Sequence, residues 1–274
     1  MNLDLKLDAL RDDLRALGRV VVAWSGGVDS SLLARVAHDT LGSDAVLAAT
    51  AVSPSLPSAE LDECRELAAE WGLNWSVVET DEMDRPEYRA NARDRCAHCK
   101  DALLDALAPL AAEHQATVVL GVIVDDLSDD RPGQVVASSR GAAFPLANAG
   151  LTKEDVRRLS RDLGLRNWDK PAAACLASRI PHGTEVTVAL LGRVERAEAA
   201  LRALGFGALG PLRVRHRGDQ ASVEVAPAEL DRVNGAASEV VDAVRTAGYR
   251  EVVIDPRGYR TLDRIPSPRG EPRP

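Results

Sequence analysis

The feature that most limits how this chain can fold is an apolar run, RVVVAW at 19–24, that leads directly into a glycine turn, SGGVDS at 25–30. A helical pattern, SLLARVAHDTLG, follows the turn and ends at Gly42. A continuous apolar run of this kind is typical of a strand buried on both faces of a parallel sheet. The sequence therefore predicts a strand–turn–helix unit whose glycines lie at the carboxyl end of a strand.

The alternation of apolar runs and helical patterns continues through the first 168 residues. An amphipathic helix is predicted at 2–17, further strands at 45–52, 75–80 and 116–124, and further helices at 59–72, 101–114 and 152–164. This order predicts an α/β domain with a doubly wound parallel sheet, which binds ligands at the carboxyl ends of its strands. The loops SGGVDS and DDLSDDRPG (125–133) both lie at predicted carboxyl ends.

Beyond Val186 the pattern changes to that of a smaller α+β unit. A helix at 187–204 precedes two alternating runs, LRVRHR and ASVEVA, which meet at Gly218–Asp219 and predict a β-hairpin. Two more helical patterns and the strand EVVIDP complete this unit. We therefore expect a first domain over 1–168, a second over 169–264 with the loop of Cys175 at the junction, and a mobile tail over 265–274.

Composition argues against several classes of protein. The chain has 274 residues, with 34 Lys and Arg against 42 Asp and Glu, and its net charge of −8 disfavours a general binder of nucleic acid or anionic membranes. It has no apolar stretch long enough to span a membrane, and its start does not resemble a signal peptide. Because four cysteines form no secreted disulfide framework, we expect a cytoplasmic protein with free thiols.

The turn at 25–30 has the composition of a phosphate-binding loop. Its glycines let backbone N–H groups close on phosphate oxygens, and the start of the following helix adds positive potential. Asp29 would repel phosphate unless it holds a Mg²⁺ ion that bridges to the phosphates. A turn in which Asp29 and Ser30 only cap the helix is the structural alternative. The expected loop consists of Ser25, Gly26, Gly27, Val28, Asp29 and Ser30.

This loop resembles the PP-loop of the ATP pyrophosphatases, a family with an adenine nucleotide alpha hydrolase-like fold. The resemblance implies an enzyme that cleaves ATP between the α and β phosphates and activates its substrate as an adenylate. Amide-forming synthetases, tRNA thiolases and other sulfur transferases share the loop. The nucleophile that displaces AMP therefore stays open at this point.

Three cysteines lie in segments that suit sulfur or metal chemistry. Cys175 precedes Arg179 by four residues in KPAAACLASRIPHGT, and a nearby guanidinium favours the reactive thiolate. A buried structural cysteine is the alternative. Cys96 and Cys99 form a C-x-x-C pair in DRCAHCK, which suits a redox pair, half of a zinc site or iron–sulfur ligands. The fourth cysteine, Cys64, is expected to serve packing.

Several motifs together resemble the LarE-type ATP-dependent sulfur transferases: DRCxxCK, DDLSDDRPG, WDKPAAACLASRIP and RVRHRGDQASVEV, besides SGGVDS. The resemblance implies a small-molecule substrate, pyridinium-3,5-biscarboxylate mononucleotide, whose carboxylate becomes a thiocarboxylate in the synthesis of the nickel-pincer cofactor of lactate racemase. It also implies release of AMP and pyrophosphate by a homo-oligomeric enzyme. The chain departs from the family at GVIVDDL, which is apolar where the family is usually polar.

The same resemblance implies two possible sources of sulfur. In one branch of the family the cysteine matched by Cys175 gives up its own sulfur, and in the other three cysteines hold a [4Fe-4S] cluster that carries an extra sulfide. Cys96, Cys99 and Cys175 match those three positions, which favours the cluster branch. Zinc and simple thiols are the alternatives.

The second unit carries the expected substrate contacts. Alternation along LRVRHR places Arg213, Arg215 and Arg217 on one strand face, which suits phosphate or carboxylate binding or else a solvated edge. The resemblance assigns the substrate phosphate to Arg213 and Arg215. Further candidates are Lys100, Lys170 and Arg179 for phosphate, Asp125 and Asp126 for Mg²⁺ or nucleotide, and Glu195 or Glu198 for substrate.

These observations predict an ATP-dependent sulfurtransferase with Cys175, Asp29 and Arg179 at its catalytic centre, using ATP, Mg²⁺ and a [4Fe-4S] cluster. An amide-forming synthetase, a tRNA thiolase and an ATP-binding module without activity remain as alternatives. The synthetase needs no cysteine, and the thiolase needs a basic surface that the net charge of −8 disfavours.

Overall fold

The computed structural model describes residues 2–127, 132–172 and 174–259, in two compact units, Met1–Gly192 and Arg193–Pro274. The first unit is built on a four-stranded parallel sheet. Its elements in chain order are α1 (Leu3–Leu17), β1 (Val20–Ala23), α2 (Val28–Leu41), β2 (Val46–Val52), α3 (Ser58–Trp71), β3 (Trp75–Glu79), α4 (Pro86–Arg89), α5 (Arg95–Glu113), β4 (Thr117–Leu120), α6 (Val124–Leu127), α7 (Pro132–Ser139), α8 (Pro145–Asn148), α9 (Lys153–Asp162) and the start of α10 (Val188–Ala203).

The sheet has the strand order β3-β2-β1-β4, so β1 is central and parallel to both neighbours. Alternate residues of β1 point to opposite faces. Val20 and Val22 join a core with Leu10 of α1 and Leu32 of α2, while Val21 joins a second core with Leu107 of α5. Helices therefore cover both faces of the sheet, which confirms the predicted doubly wound α/β fold.

Two boundaries in this unit differ from the prediction. The cysteine segment was expected to precede its helix, but α5 begins at Arg95, so Cys96 and Cys99 lie in its first two turns. Strand β4 ends at Leu120, and the apolar residues after it leave the sheet. A side chain at Gly121 would lie 2.8 Å from the backbone nitrogen of Ser30, so this position tolerates only glycine beside the start of α2.

The second unit is a smaller α+β structure, as predicted. It contains the rest of α10, then β5 (Leu212–Arg217), β6 (Gln220–Val225), α11 (Leu230–Gly235), α12 (Ala237–Thr246) and β7 (Glu251–Ile254). Strands β5 and β6 form the expected antiparallel hairpin, with Arg217 opposite Gln220, and β7 adds to β6 in parallel. Val214, Val223 and Val244 are fully buried in its core.

The boundary between the units lies later than expected, at Gly192 instead of residue 168. The reason is that the segment after Cys175 bonds to the first unit. The Leu176 amide donates to the Ser55 carbonyl over 2.8 Å, and the Val186 amide donates to the Arg89 carbonyl over 2.8 Å. The expected tail at 265–274, and residues 128–131 of the acidic loop, lie outside the described residues.

Within the described ranges, no helix is both long enough and apolar enough to cross a lipid bilayer.

Candidate active site

The glycine turn at 25–30 forms a compact loop between β1 and α2. The Ser30 hydroxyl donates to the Gly27 carbonyl over 3.1 Å and accepts from the Ser25 amide over 3.2 Å. The hydroxyls of Ser25 and Ser30 also lie 3.1 Å apart. Gly27 caps α2 without a side-chain hydrogen bond, so the helix presents its backbone N–H groups and positive end where a phosphate can bind.

The loop depends on Gly26 for two reasons. Its φ of +66° lies in the left-handed region, and a Cβ there would lie 2.8 Å from the sulfur of Cys64. Cys64 is fully buried in α3, which agrees with a packing role, and burial raises the pKa of its thiol to about 11. Asn167 also holds the loop in place, because its side-chain amide donates to the Gly26 carbonyl and to the Ser31 hydroxyl, both over 2.9 Å.

Asp29 is held by a lysine that the sequence did not point to. The ammonium of Lys153 donates to both carboxylate oxygens of Asp29, over 2.8 and 2.7 Å. Burial raises the pKa of Asp29 above its ordinary value, Lys153 opposes the rise, and the neighbouring charge of Asp126 adds to it. Asp125 accepts from the Lys153 backbone amide over 2.7 Å, at the start of α9. The loop carboxylate, this lysine and the acidic pair after β4 thus form one charged cluster.

A cavity of about 700 Å³ opens over the loop. Its volume lies within the range of pockets that hold small-molecule ligands and cofactors. Its walls come from the loop, from the carboxyl ends of β2 and β4 and from the first turns of α5, as expected for a doubly wound sheet. Among the lining residues are Ser25, Gly27, Asp29, Ser30, Thr50, Arg93, Cys96, Lys100, Gly121 and Asp126.

The structure brings the three predicted cysteines into one neighbourhood. Cys96 lines the cavity, and Cys99 lies one helical turn further along α5. Burial, with a smaller contribution from the nearby Glu82, Cys175 and Cys96, raises the pKa of the Cys99 thiol to about 12. Burial raises the pKa of Tyr88 above its ordinary value, and Cys175 and Cys99, which both lie near it, add to the rise. All four cysteines are free thiols.

Among the residues with described positions, no group of three or more His, Cys, Asp or Glu side chains is arranged to hold a metal ion. The predicted cluster ligands therefore converge as neighbours without forming a closed metal site. His98 lies between the two cysteines of the C-x-x-C pair and could add a fourth zinc ligand, but its ring lies 3.4 Å from the carboxylate of Asp94.

Arg179 is hydrogen-bonded to the backbone of the Cys175 loop. Its guanidinium is buried and donates to the carbonyls of Ala174 and Cys175, over 2.6 and 3.0 Å. Lys170, a predicted phosphate contact, instead bonds to Glu60 and Glu63 of α3 over 2.7 and 2.6 Å. Lys100 remains at the cavity wall, and burial lowers its pKa.

In the second unit, Arg213 and Arg215 lie on β5. The guanidinium of Arg213 is 5.6 Å from the centre of the Tyr259 ring, and the side chain is buried. Arg215 forms an ion pair of 3.1 Å with Glu224 on the neighbouring strand, and Arg217 is exposed. Glu198 is buried and accepts from the Val214 amide, so it supports the strand that carries these arginines.

Two residues of the nucleotide loop site were missed. Lys153 lies 124 positions from Asp29, and Asn167 lies 141 positions from Gly26, so no local pattern connects them to the loop. The available signal was the helix start TKED, where Thr152 and Asp155 form the capping box that fixes Lys153 in the first turn.

Comparison with known proteins agrees with this geometry. The family model for NAD synthase matches residues 6–106, which include the loop and the start of α5. An uncharacterized protein of Synechocystis sp. is 44% identical over 96% of this chain and 98% of its own length. An uncharacterized protein of Methanocaldococcus jannaschii is 25% identical over 89% of this chain and 91% of its own length.

A third relative carries a functional name. The pyridinium-3,5-bisthiocarboxylic acid mononucleotide synthase of Lactiplantibacillus plantarum is 36% identical over 90% of this chain and 89% of its own length. The match therefore extends over nearly the whole of both chains. The chain therefore belongs to the family of that synthase, the LarE-type proteins of the PP-loop superfamily.

Proposed function

We propose that this protein is an ATP-dependent sulfurtransferase that adenylates a carboxylate of pyridinium-3,5-biscarboxylate mononucleotide and converts it to the thiocarboxylate. The substrate is inferred from the name of the Lactiplantibacillus plantarum relative. The observation that carries the proposal is that Cys96 of the C-x-x-C helix lines the same cavity as the loop serines and Asp29. A thiol-bearing helix at a nucleotide loop suits a reaction that activates with ATP and then transfers sulfur.

In the first step, a carboxylate oxygen of the substrate attacks the α-phosphorus of ATP, and pyrophosphate leaves. The start of α2, with the hydroxyls of Ser25 and Ser30, would bind the pyrophosphate. Mg²⁺ fits this site, because proteins bind it through one or two carboxylates together with phosphate oxygens, and Asp29 and Asp126 supply those carboxylates. When bound, the ion would neutralise phosphate charge. Lys153 already neutralises Asp29 and would be released toward the phosphates.

In the second step, a sulfur nucleophile attacks the carbonyl carbon of the adenylate, and AMP leaves. Cys175 is the proposed sulfur-bearing residue, and Arg179 fixes the backbone carbonyls beside it. If Cys175 itself donates, its sulfur first forms a thioester. Loss of the Cα proton and breakage of the Cβ–sulfur bond then release the thiocarboxylate and leave dehydroalanine.

A [4Fe-4S] cluster is the other proposed donor. Three thiols from two segments match it in kind, because thiolates are the usual ligands of such clusters. Cys96, Cys99 and Cys175 would hold it, and when bound it would supply a sulfide at its open iron. Free thiols and such a cluster both suit the reducing cytoplasm, which we propose as the compartment.

The substrate phosphate is proposed to bind Arg213 and Arg215, whose guanidinium groups present forked donors that match phosphate oxygens. Glu224 now neutralises Arg215 in part, so a phosphate would compete with that ion pair. The family resemblance further implies a homo-oligomer, which light scattering of the purified protein measures.

The test is to purify the protein without oxygen, record its iron, sulfide and zinc content, and supply ATP, Mg²⁺ and the biscarboxylate mononucleotide. We expect pyrophosphate, AMP and the thiocarboxylate, measured by chromatography and mass spectrometry. Thiocarboxylate made by an iron-free protein, with loss of one H₂S at Cys175, would favour the sacrificial route over the cluster.

The same assay separates the alternatives. An amide-forming synthetase would keep full activity in Cys175→Ala and would require ammonia or an amine. A tRNA thiolase would modify added tRNA, and an ATP-binding module would release no pyrophosphate. Any of these three results would contradict the proposed function.

A further inference from the structure

The segment that follows Cys175 is tied to the segment that precedes the C-x-x-C helix by a buried network centred on Asn91. Asn91 is fully buried, and its amide donates to the carbonyls of Pro181 and Thr184 over 2.8 and 2.9 Å. Its own carbonyl accepts from the Gly183 amide over 3.1 Å. Asn91, which precedes the first residue of α5 by four positions, thus holds both ends of the turn at 181–184.

Arg95 extends the network to the Cys175 side. It is the first residue of α5 and lies directly before Cys96. Its buried guanidinium donates to the carbonyl of Ala177 over 2.9 Å and to the side-chain oxygen of Asn91. Ala177 is two residues from Cys175, so the network joins residues adjacent to both groups of thiols.

The backbone at Asn91 indicates that this network is constrained. Its φ is +54°, and within the described residues Gln115 is the other non-glycine position with a positive φ. Such a conformation is unfavourable for residues with a side chain and persists where the surrounding contacts hold it. At Asn91 the contacts that hold it are the bonds to the Cys175 loop.

We propose that Asn91 and Arg95 are positioning residues for sulfur transfer, which fix the Cys175 loop against the start of α5 so that Cys175 stays beside Cys99. Neither residue lines the cavity over the nucleotide loop. The bridge should therefore matter for delivery of sulfur and little for activation by ATP. The expected effect on sulfur transfer rests on the proposed function, whereas the expected hold on the Cys175 loop does not.

The test compares Asn91→Gly with Gln115→Gly. Glycine tolerates a positive φ at both positions, so each substitution relaxes the backbone, and only the first removes the amide of the bridge. Gln115 is exposed at the end of α5 and serves as the matched control. Arg95→Met removes the second half of the bridge by a different change, which keeps the test decisive if one variant folds poorly.

Three quantities are measured for each protein: the single-turnover burst of pyrophosphate, the rate of thiocarboxylate formation, and the rate at which iodoacetamide alkylates Cys175, read by peptide mass spectrometry. For Asn91→Gly and Arg95→Met we expect a pyrophosphate burst within about threefold of wild type and sulfur transfer about 100-fold slower, as for a misplaced reacting group. Alkylation of Cys175 should be faster, because the loop is released. Gln115→Gly should match wild type in all three.

Two results would overturn the proposal. One is wild-type sulfur transfer and alkylation in both bridge variants. The other is an equal fall in the burst and in sulfur transfer with unchanged alkylation, which would show that the two residues act on activation by ATP and not on the position of Cys175. If wild type itself forms no thiocarboxylate, the proposed function fails, and the alkylation rates still decide whether the bridge holds Cys175.

Discussion

At the scale of single residues, the nucleotide loop was predictable and its partners were not. SGGVDS is a continuous motif, and the loop forms where the motif lies, between β1 and α2. The lysine that pairs with Asp29 comes from a helix start 124 residues away. Only the packing of α9 beside α2 joins them, and no rule of spacing in the sequence reports such packing.

Asp29→Asn should impair ATP activation and stabilise the fold. Losing the proposed Mg²⁺ ligand should slow the pyrophosphate burst by about 10²–10³-fold, the cost of removing a charge-stabilising group at a reaction centre. Because the pKa of Asp29 is raised in the folded state, its ionised form costs stability at neutral pH. Thermal unfolding of the variant should therefore occur at higher temperature than wild type at pH 7, and the difference should shrink as pH falls toward 3.8.

The control for this prediction is Asp39→Asn. Asp39 lies on the same helix and pairs with Arg35 at the surface, so its loss should leave the burst unchanged. A normal burst in Asp29→Asn, or a lower unfolding temperature at pH 7, would contradict the expected roles.

Gly26→Ala should destabilise the loop through two separable causes. The new Cβ meets the sulfur of Cys64 at 2.8 Å, and the backbone must keep a φ of +66°. Overpacking costs about 1–3 kcal/mol, and the left-handed conformation adds about 1–2 kcal/mol. Adding Cys64→Ala should remove the steric part alone.

A double-mutant cycle by urea unfolding measures this coupling. We expect the pair to be less destabilised than the sum of the single variants by about 0.5–3 kcal/mol, the usual range for residues in contact. Strict additivity would show that Cys64 does not confine the loop.

At the scale of elements, the helices and strands follow the periodicity of the sequence, and the start of α5 is the main exception. Thr152 caps α9 through a local signal, because it and Asp155 bond each other's backbone amides. The C-x-x-C segment was expected as a polar approach to a helix, but Cys96 and Cys99 lie inside α5. Asp94 directly precedes the helix at its N-cap position, but its side chain makes no cap hydrogen bond.

Lys170→Met should weaken the attachment of the Cys175 loop to α3. Burial lowers the pKa of Lys170, but its bonds to Glu60 and Glu63 raise it more, so the net shift is upward. The pairs therefore stabilise the fold fully below pH 10.5 and lose their effect as pH rises through the folded-state value. We expect a loss of about 2 kcal/mol at pH 7 that shrinks above pH 10.5.

Arg166→Met provides a comparison, because Arg166 also pairs with carboxylates of α3. Arg166 also bonds two carboxylates of α3, those of Glu66 and Glu70, but all three side chains are exposed. Exposed pairs contribute about 0–1 kcal/mol. Urea unfolding should rank Lys170→Met well below Arg166→Met in stability, and equal values would show that the burial of the Lys170 pairs has no energetic consequence.

At the scale of the whole molecule, the residues proposed for ATP and for the substrate phosphate belong to different compact units. The described lining of the nucleotide cavity comes from the first unit, while Arg213 and Arg215 lie on a strand of the second. Substitution of the arginines in the second unit should therefore leave the affinity of the first unit for ATP unchanged.

Arg213→Met and Arg215→Met should raise KM for the mononucleotide by about tenfold or more, while the affinity for ATP alone stays at the wild-type value. Hydrogen bonds between charged groups contribute about 1.5–3 kcal/mol each, which corresponds to this change. Arg250→Met is the control, since Arg250 is exposed and pairs with Asp219 on the surface. Equilibrium binding of ATP and steady-state kinetics measure the two effects, and a matching loss of ATP affinity would contradict the separation.

The sequence by itself determined the alternation of strands and helices, the nucleotide loop, the capped start of α9 and the β-hairpin. Each of these depends on residues within a few positions of one another, where period, glycine and cap residues act directly. Tertiary structure decided that the unit boundary lies at Gly192, that Lys153 holds Asp29, and that Asn91 and Arg95 join the C-x-x-C helix to the Cys175 loop. These features depend on contacts between residues about 80 to 140 positions apart, which form only when elements that are distant in the chain pack together.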